Sequence, residues 1–95
     1  MISVIAKFDV KKDKVDEFLK HALRLVEESR KEKINISYNL TRDVMEDNIF
    51  TFIEVWESPK ALKEHMDTKH FKEVIGAVDS LKNSLEIKTL EEVTL

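Results

Sequence analysis

A chain of 95 residues with a formal net charge of −3 is sized for one domain, 1–95. It is too acidic to offer nucleic acid the clustered Lys and Arg that phosphates demand. Cysteine is absent and glycine and proline occur once each, as Gly76 and Pro59, which excludes disulfides, thiolate metal sites, a cysteine nucleophile and a glycine-rich phosphate cradle.

In "ISVIAKFDV" the residues Ile2, Val4, Ala6, Phe8 and Val10 alternate, which predicts a strand over 2–10 with one apolar face. Asp13 is the expected N-cap of a following helix, with Asp16 and Glu17 at its positive dipole end. Val15, Phe18, Leu19, Ala22, Leu23 and Val26 recur at helical spacing, and the helix should end in the charged run "RKEK" at 30–33. Residues 34–42 alternate again. Ile34, Ile36, Tyr38 and Leu40 are expected on one side, and Asn35, Ser37, Asn39 and Thr41 on the other. "RDVMEDN" at 42–48 is a polar, hairpin-type connection.

The third strand, "IFTFIEVWE" at 49–57, carries bulk on both faces. Ile49, Ile53 and Val55 point one way, and Phe50, Phe52 and Trp56 the other. An antiparallel sheet with helices on one face and water on the other should alternate apolar and polar, so this strand predicts cover on both sides. Ser58 caps the next helix, with Pro59 at the first helical position, where its missing N–H costs nothing. Thr68 is placed to cap a continuation holding Phe71, Val74, Ile75, Val78 and Leu81. Leu85, Ile87, Thr89, Glu91 and Val93 alternate in a last strand over 84–93.

The order is β-α-β-β-α-β with a break near Thr68. That order predicts a ferredoxin-like α+β fold, a four-stranded antiparallel sheet with helices on one face. The open face, loaded by Phe50, Phe52 and Trp56 or by their neighbours, is the expected homodimer surface. An RNA-recognition module is excluded because "TFIEVWE" is acidic. An acylphosphatase-like site is excluded because "FDVKKDKV" has no glycine-rich cradle. No apolar run approaches the ~20 residues that span a bilayer, and "MISVIAKF" lacks the features of a signal peptide. The expected location is the cytoplasm, with no membrane partner.

"FIEVWESPKALKEHMDTKHF" resembles the signature of the antibiotic biosynthesis monooxygenase family, in its quinol-monooxygenase-like branch. That signature is a strand ending in E-x-W, a small residue, and a helix leading to H-x4-H-F. Glu54, Trp56, Ser58, Ala61, Leu62, His65, His70 and Phe71 match it, and Tyr38 and Leu40 resemble the family's Y-x-L strand. The resemblance implies a dimeric α+β barrel in which each subunit holds an apolar cavity between sheet and helices. It implies oxygenation of quinols or related small aromatics by O2 without metal, flavin or haem. Some members of the wider group are instead non-catalytic small-ligand-binding or stress-response barrels. Two departures stand out. The family's "E-P-G" turn before the second strand is "KEKINIS" here. Haem-degrading relatives carry a tryptophan where His65 stands, a histidine near Ile75 and an asparagine near Ala6–Lys7, none of which this chain has.

The chemistry so implied needs a base, a hydrogen-bond donor and a water-excluding wall. A deprotonated quinol can pass an electron to O2 and recombine with the superoxide formed, so the substrate itself supplies the electrons. His65 or His70 is the candidate base, and Glu54 the carboxylate that orients a histidine. Trp56 and Phe71 are candidate walls; Tyr38 or Asn39 could hydrogen-bond substrate. Tyr38 and Asn39 face opposite sides of their strand, so both cannot line one cavity. Two histidines five apart diverge by about 140° on a continuous helix, so His65 and His70 converge only if the helix breaks near Thr68. A metal pair lacks a third ligand at suitable local spacing.

Overall fold

Four strands and three helices account for most of the chain, in the order β1 (Ile2–Val10), α1 (Val15–Arg30), β2 (Asn35–Arg42), β3 (Ile49–Trp56), α2 (Pro59–Met66), α3 (Lys69–Val78) and β4 (Lys82–Glu91). They are described by a computed structural model covering residues 1–95. The strands form one antiparallel sheet in the order β2-β3-β1-β4. The two strands that are central in space, β1 and β3, are the two richest in buried side chains. This is the ferredoxin-like arrangement. No helix is long and apolar enough to cross a membrane.

Register fixes which face of β3 meets the helices. Phe50, Phe52, Glu54 and Trp56 lie opposite Phe8, Ala6, Val4 and Ile2 of β1, and all eight are buried. Their cover is α1, which brings Phe18, Ala22, Leu25, Val26 and Ser29 to the sheet. Phe18 stacks on Phe8 and Phe50 with ring centroids 5.3 and 5.2 Å apart, and Phe8 meets Phe52 edge-on at 5.7 Å. Burying each such ring contributes roughly 1.5–3 kcal/mol, plus a smaller gain from the tilted geometry. Of the two alternatives that the sequence left for the open face, Phe50, Phe52 and Trp56 or their neighbours, the second holds. The aromatic side is the core, and the open face carries their neighbours Thr51, Ile53 and Val55.

Four local expectations change. Asp13 does not cap α1; it sits in a single 3-10 turn over Lys12–Lys14, and the cap position is Lys14, with no side-chain hydrogen bond. On α1 the buried stripe runs through Leu25 and leaves Leu23 exposed, because Leu23 lies about 140° around the helix from Phe18. In β2 the pairing slips between Asn35 and Ser37, so Ile36 is an extra, exposed residue while Tyr38 and Leu40 keep the core side. The last strand ends at Glu91, leaving Val93 outside it.

α2 and α3 are separate helices, each with its own cap. Ser58 accepts the Ala61 N–H at 3.1 Å with Pro59 at the first helical position. Thr68 has extended backbone angles and accepts the Phe71 N–H at 3.3 Å. The same Thr68 hydroxyl donates to the His65 carbonyl at 2.7 Å, tying the end of one helix to the start of the next.

Candidate functional site

Between the sheet and α2–α3 lies a cavity of about 130 Å3. Its wall is mostly apolar, with Leu62, Phe71 and Ile75 from the helices and Ala6, Phe52 and Leu85 from the sheet. Tyr38, Glu54, His65 and Thr89 supply its polar atoms. Ile87, 58% exposed, and Met66 mark the edge where the lining reaches the surface.

His65 is the centre of the polar cluster. It is 1% exposed and enclosed by rings: Trp56 at 4.3 Å between centroids, Phe71 at 5.0 Å edge-on, Tyr38 at 5.5 Å and His70 at 6.2 Å. Its Nδ1 is 2.7 Å from Glu32 Oε2. Its Nε2 has no hydrogen-bond partner in the protein and lies 4.0 Å from Glu54 Oε1. Burial pulls the His65 pKa below its ordinary value; the Glu32 hydrogen bond opposes that shift and the nearby His70 reinforces it.

Glu54 owes its position to strand alternation, which aims it to the core side between Phe52 and Trp56. A buried carboxylate needs partners, and Trp56 supplies one: its Nε1 donates to Glu54 Oε1 at 3.0 Å. Burial still dominates and raises the Glu54 pKa to about 7. Tyr38 pairs with Glu54 across the β2–β3 ladder, and its hydroxyl has Ser29 and Glu54 as polar neighbours. Burial and the Glu54 charge push the phenol well above its usual range, so it stays a donor at any physiological pH.

The break at Thr68 brings the two histidines together. His70 Nε2 lies 2.8 Å from Glu32 Oε2, so one carboxylate oxygen serves both rings. His70 stands beside the cavity and does not line it. Trp56 is likewise behind the wall, packed on His65 and bonded to Glu54. Asn39 lies on the opposite face of the sheet, where its Oδ1 accepts from Arg30 Nη2 at 2.9 Å; the strand parity that turns Tyr38 inward turns Asn39 away.

Glu32 is the site residue that sequence reasoning missed. It sits in a charged run that reads as a solvated helix end, 33 residues from His65. The available signal was faint: "KEK" and the "E-P-G" turn share an acid. With it, Glu32, His65 and His70 form a group whose ligand-type atoms all lie within 4.8 Å, so a third ligand for the histidine pair exists at long range. The N···O separations of 2.7 and 2.8 Å are hydrogen-bond lengths. A tetrahedral zinc site with ~2.0–2.1 Å bonds would hold its ligand atoms about 3.3 Å apart.

The family model for antibiotic biosynthesis monooxygenase matches residues 1–77. The chain belongs to the antibiotic biosynthesis monooxygenase family. It is 42% identical over 71 residues, 75% of each chain, to the protein named "Putative monooxygenase YcnE" of Bacillus subtilis (strain 168). A crystal structure described as an antibiotic biosynthesis monooxygenase superposes with a TM-score of 0.94 at 28% identity, covering 99% of this chain and 100% of the other. A conserved protein of Methanosarcina mazei Go1 gives 0.93 at 31% identity, covering 97% and 92%. Membership of the monooxygenase family thus rests on sequence and fold together.

Proposed function

We propose that this chain is a cofactor-independent monooxygenase that oxygenates quinols or related small aromatic substrates with O2. One observation carries the reading: a buried imidazole, fixed through Nδ1, leaves Nε2 unpartnered at the wall of an apolar cavity. Such a nitrogen is equipped to take a proton from an enclosed hydroxyl. The cavity, about 130 Å3, is similar in size to the roughly 150 Å3 apolar cavity that takes up benzene. Substrates of one aromatic ring fit that volume better than polycyclic ones.

The reaction begins with proton transfer from a quinol O–H to His65 Nε2. The quinolate passes one electron to O2, and the resulting radical pair combines into a C–O bond. The peroxide then loses water. One atom of O2 stays on the ring, the other leaves as water, and all the electrons come from the quinol. The protein supplies a dry cavity, the base, and donors for developing charge. Tyr38 is the phenolic donor, Glu54 is a second acid–base group near neutrality, and Phe71 is a wall. Trp56 holds Glu54 and packs on His65, and His70 bears on His65 through Glu32.

The working form in this reading is a homodimer joined through the open sheet face. Support comes from the apolar residues there. Ile53 is 41% and Leu90 45% exposed, and with the half-buried Ile5 and Val55 they form an aliphatic patch that Ser3 and Lys88 share.

The test is O2 uptake above autoxidation with a panel of reduced one-ring and fused-ring quinones, with 18O2 to follow the label into product. Acceleration confined to the smaller substrates, abolished in His65→Ala, is expected. No acceleration across the panel, with compounds still raising the melting temperature, would replace this reading with a non-catalytic ligand-binding barrel.

A further inference from the structure

The imidazole that the proposed chemistry relies on is set by a residue outside the cavity. Glu32 follows the end of α1, and its backbone is pinned on both sides: its N–H donates to the Ser29 carbonyl at 3.1 Å, and its carbonyl accepts from the Asn35 N–H at 3.1 Å. From that fixed turn the side chain reaches under α2 and α3, where Oε2 meets His65 Nδ1 at 2.7 Å and His70 Nε2 at 2.8 Å. A carboxylate oxygen only accepts, so both ring nitrogens must donate to it. A neutral imidazole carries one N–H. With the proton of His65 committed to Nδ1, its lone pair falls on Nε2, the atom without a protein partner.

Glu54 does not do this. Its Oε1 is 4.0 Å from His65 Nε2 and already accepts from the Trp56 indole at 3.0 Å. The orienting task that the sequence pattern assigns to Glu54 falls to Glu32. His70, bonded to the same oxygen, limits the rotation of the Glu32 carboxylate and keeps it aimed at His65.

Resting on the oxygenase reading, we propose that Glu32 is the positioning residue of the site. It fixes His65 as the Nδ1–H tautomer and offsets the charge of the imidazolium formed in the first step. In that step the substrate O–H bond breaks, its electron pair stays on the phenolate oxygen, and a new N–H bond forms at Nε2. The Nδ1 proton remains on the ring, 2.7 Å from the Glu32 oxygen.

The experiment has two readouts. Long-range 1H–15N spectra of 15N-labelled protein, recorded above the titration of the ring, report the His65 tautomer whether or not the protein turns over. Wild type is expected as Nδ1–H. Glu32→Ala should release the ring to Nε2–H or a mixture. Glu32→Gln, which keeps an accepting oxygen without the charge, should retain Nδ1–H while kcat falls about 100-fold and KM stays within a few fold. A wild-type His65 protonated at Nε2, or an Nδ1–H tautomer unchanged in Glu32→Ala, would overturn the proposal. So would full kcat in Glu32→Gln of a protein shown to oxygenate quinols. If the tautomer behaves as stated but no quinol is oxygenated, the positioning by Glu32 stands and the oxygenase reading falls.

Discussion

Trp56 Nε1 donates to Glu54 Oε1 at 3.0 Å, so the indole of this site holds a buried carboxylate in place. That bond lowers the Glu54 pKa but does not outweigh burial, which raises it from 4.5 to about 7. A raised folded-state pKa stabilises the fold fully below pH 4.5, and that contribution is lost as pH climbs toward 7. The loss is worth about 3 kcal/mol across the window. His65, shifted downward, acts in the other sense and loses its contribution as pH falls. Glu54→Gln removes only the first effect. Urea unfolding at intervals from pH 4 to 8 should show the variant gaining on wild type as pH rises, then holding a constant lead above pH 7. A difference between the two proteins that is flat in pH would contradict the burial argument.

The two histidines should separate in kinetics. His65 lines the cavity; His70 does not, and its hydrogen-bonded link to His65 is the shared Glu32 oxygen. His65→Ala should lower kcat by a factor of about 100 or more, whereas His70→Ala should cost roughly tenfold or less. Equal losses, measured with the same quinol, would mean that His70 contacts substrate.

Much of the fold was legible in the sequence because alternation and helical spacing are properties of single segments. The order of elements, the Ser58 cap and the break at Thr68 were all written locally. Which face of β3 meets the helices was not. Ile53 and Phe52 are both large and apolar, and only the register with β1 and the position of Phe18 decide between them. Ile36 illustrates the same limit, since an alternating pattern gives no sign that one residue of β2 is looped out. Within the site, His65, Glu54, Tyr38 and Phe71 follow from short motifs. Glu32 does not, because its partners are 33 and 38 residues away and its neighbours are all charged.

Gly76 carries no structural requirement. It lies in α3, its φ is not positive, and a Cβ there would meet nothing within 4 Å. Gly76→Ala should therefore stabilise the protein by about 0.5–1 kcal/mol through helix propensity and the unfolded state. Thermal unfolding checks this; a lower melting temperature would reveal a close neighbour at that position in the assembled protein.

The open sheet face gives the assembly prediction. Ile53 sits at its middle, on a central strand, paired with Ile5 and Asn39. Ile53→Glu places a charge beside Ile5 and Val55. Light scattering at micromolar concentration should find wild type as a dimer and the variant as a monomer. A wild type that is monomeric at that concentration removes this face as the interface.

The hydroxyl of Thr68, bonded to the His65 carbonyl and the Phe71 amide, sets a length constraint on the chain. Connections between helices usually tolerate insertion, but this one works as a gear. Each residue added or removed between Met66 and Lys69 would turn α3 by about 100° relative to α2 and slide it about 1.5 Å. His70 would swing away from Glu32, while α3 would have to give up either its buried Val74 and Val78 or its place on the sheet. The two-residue joint is thus the least adjustable stretch of backbone in the site, although neither of its side chains lines the cavity.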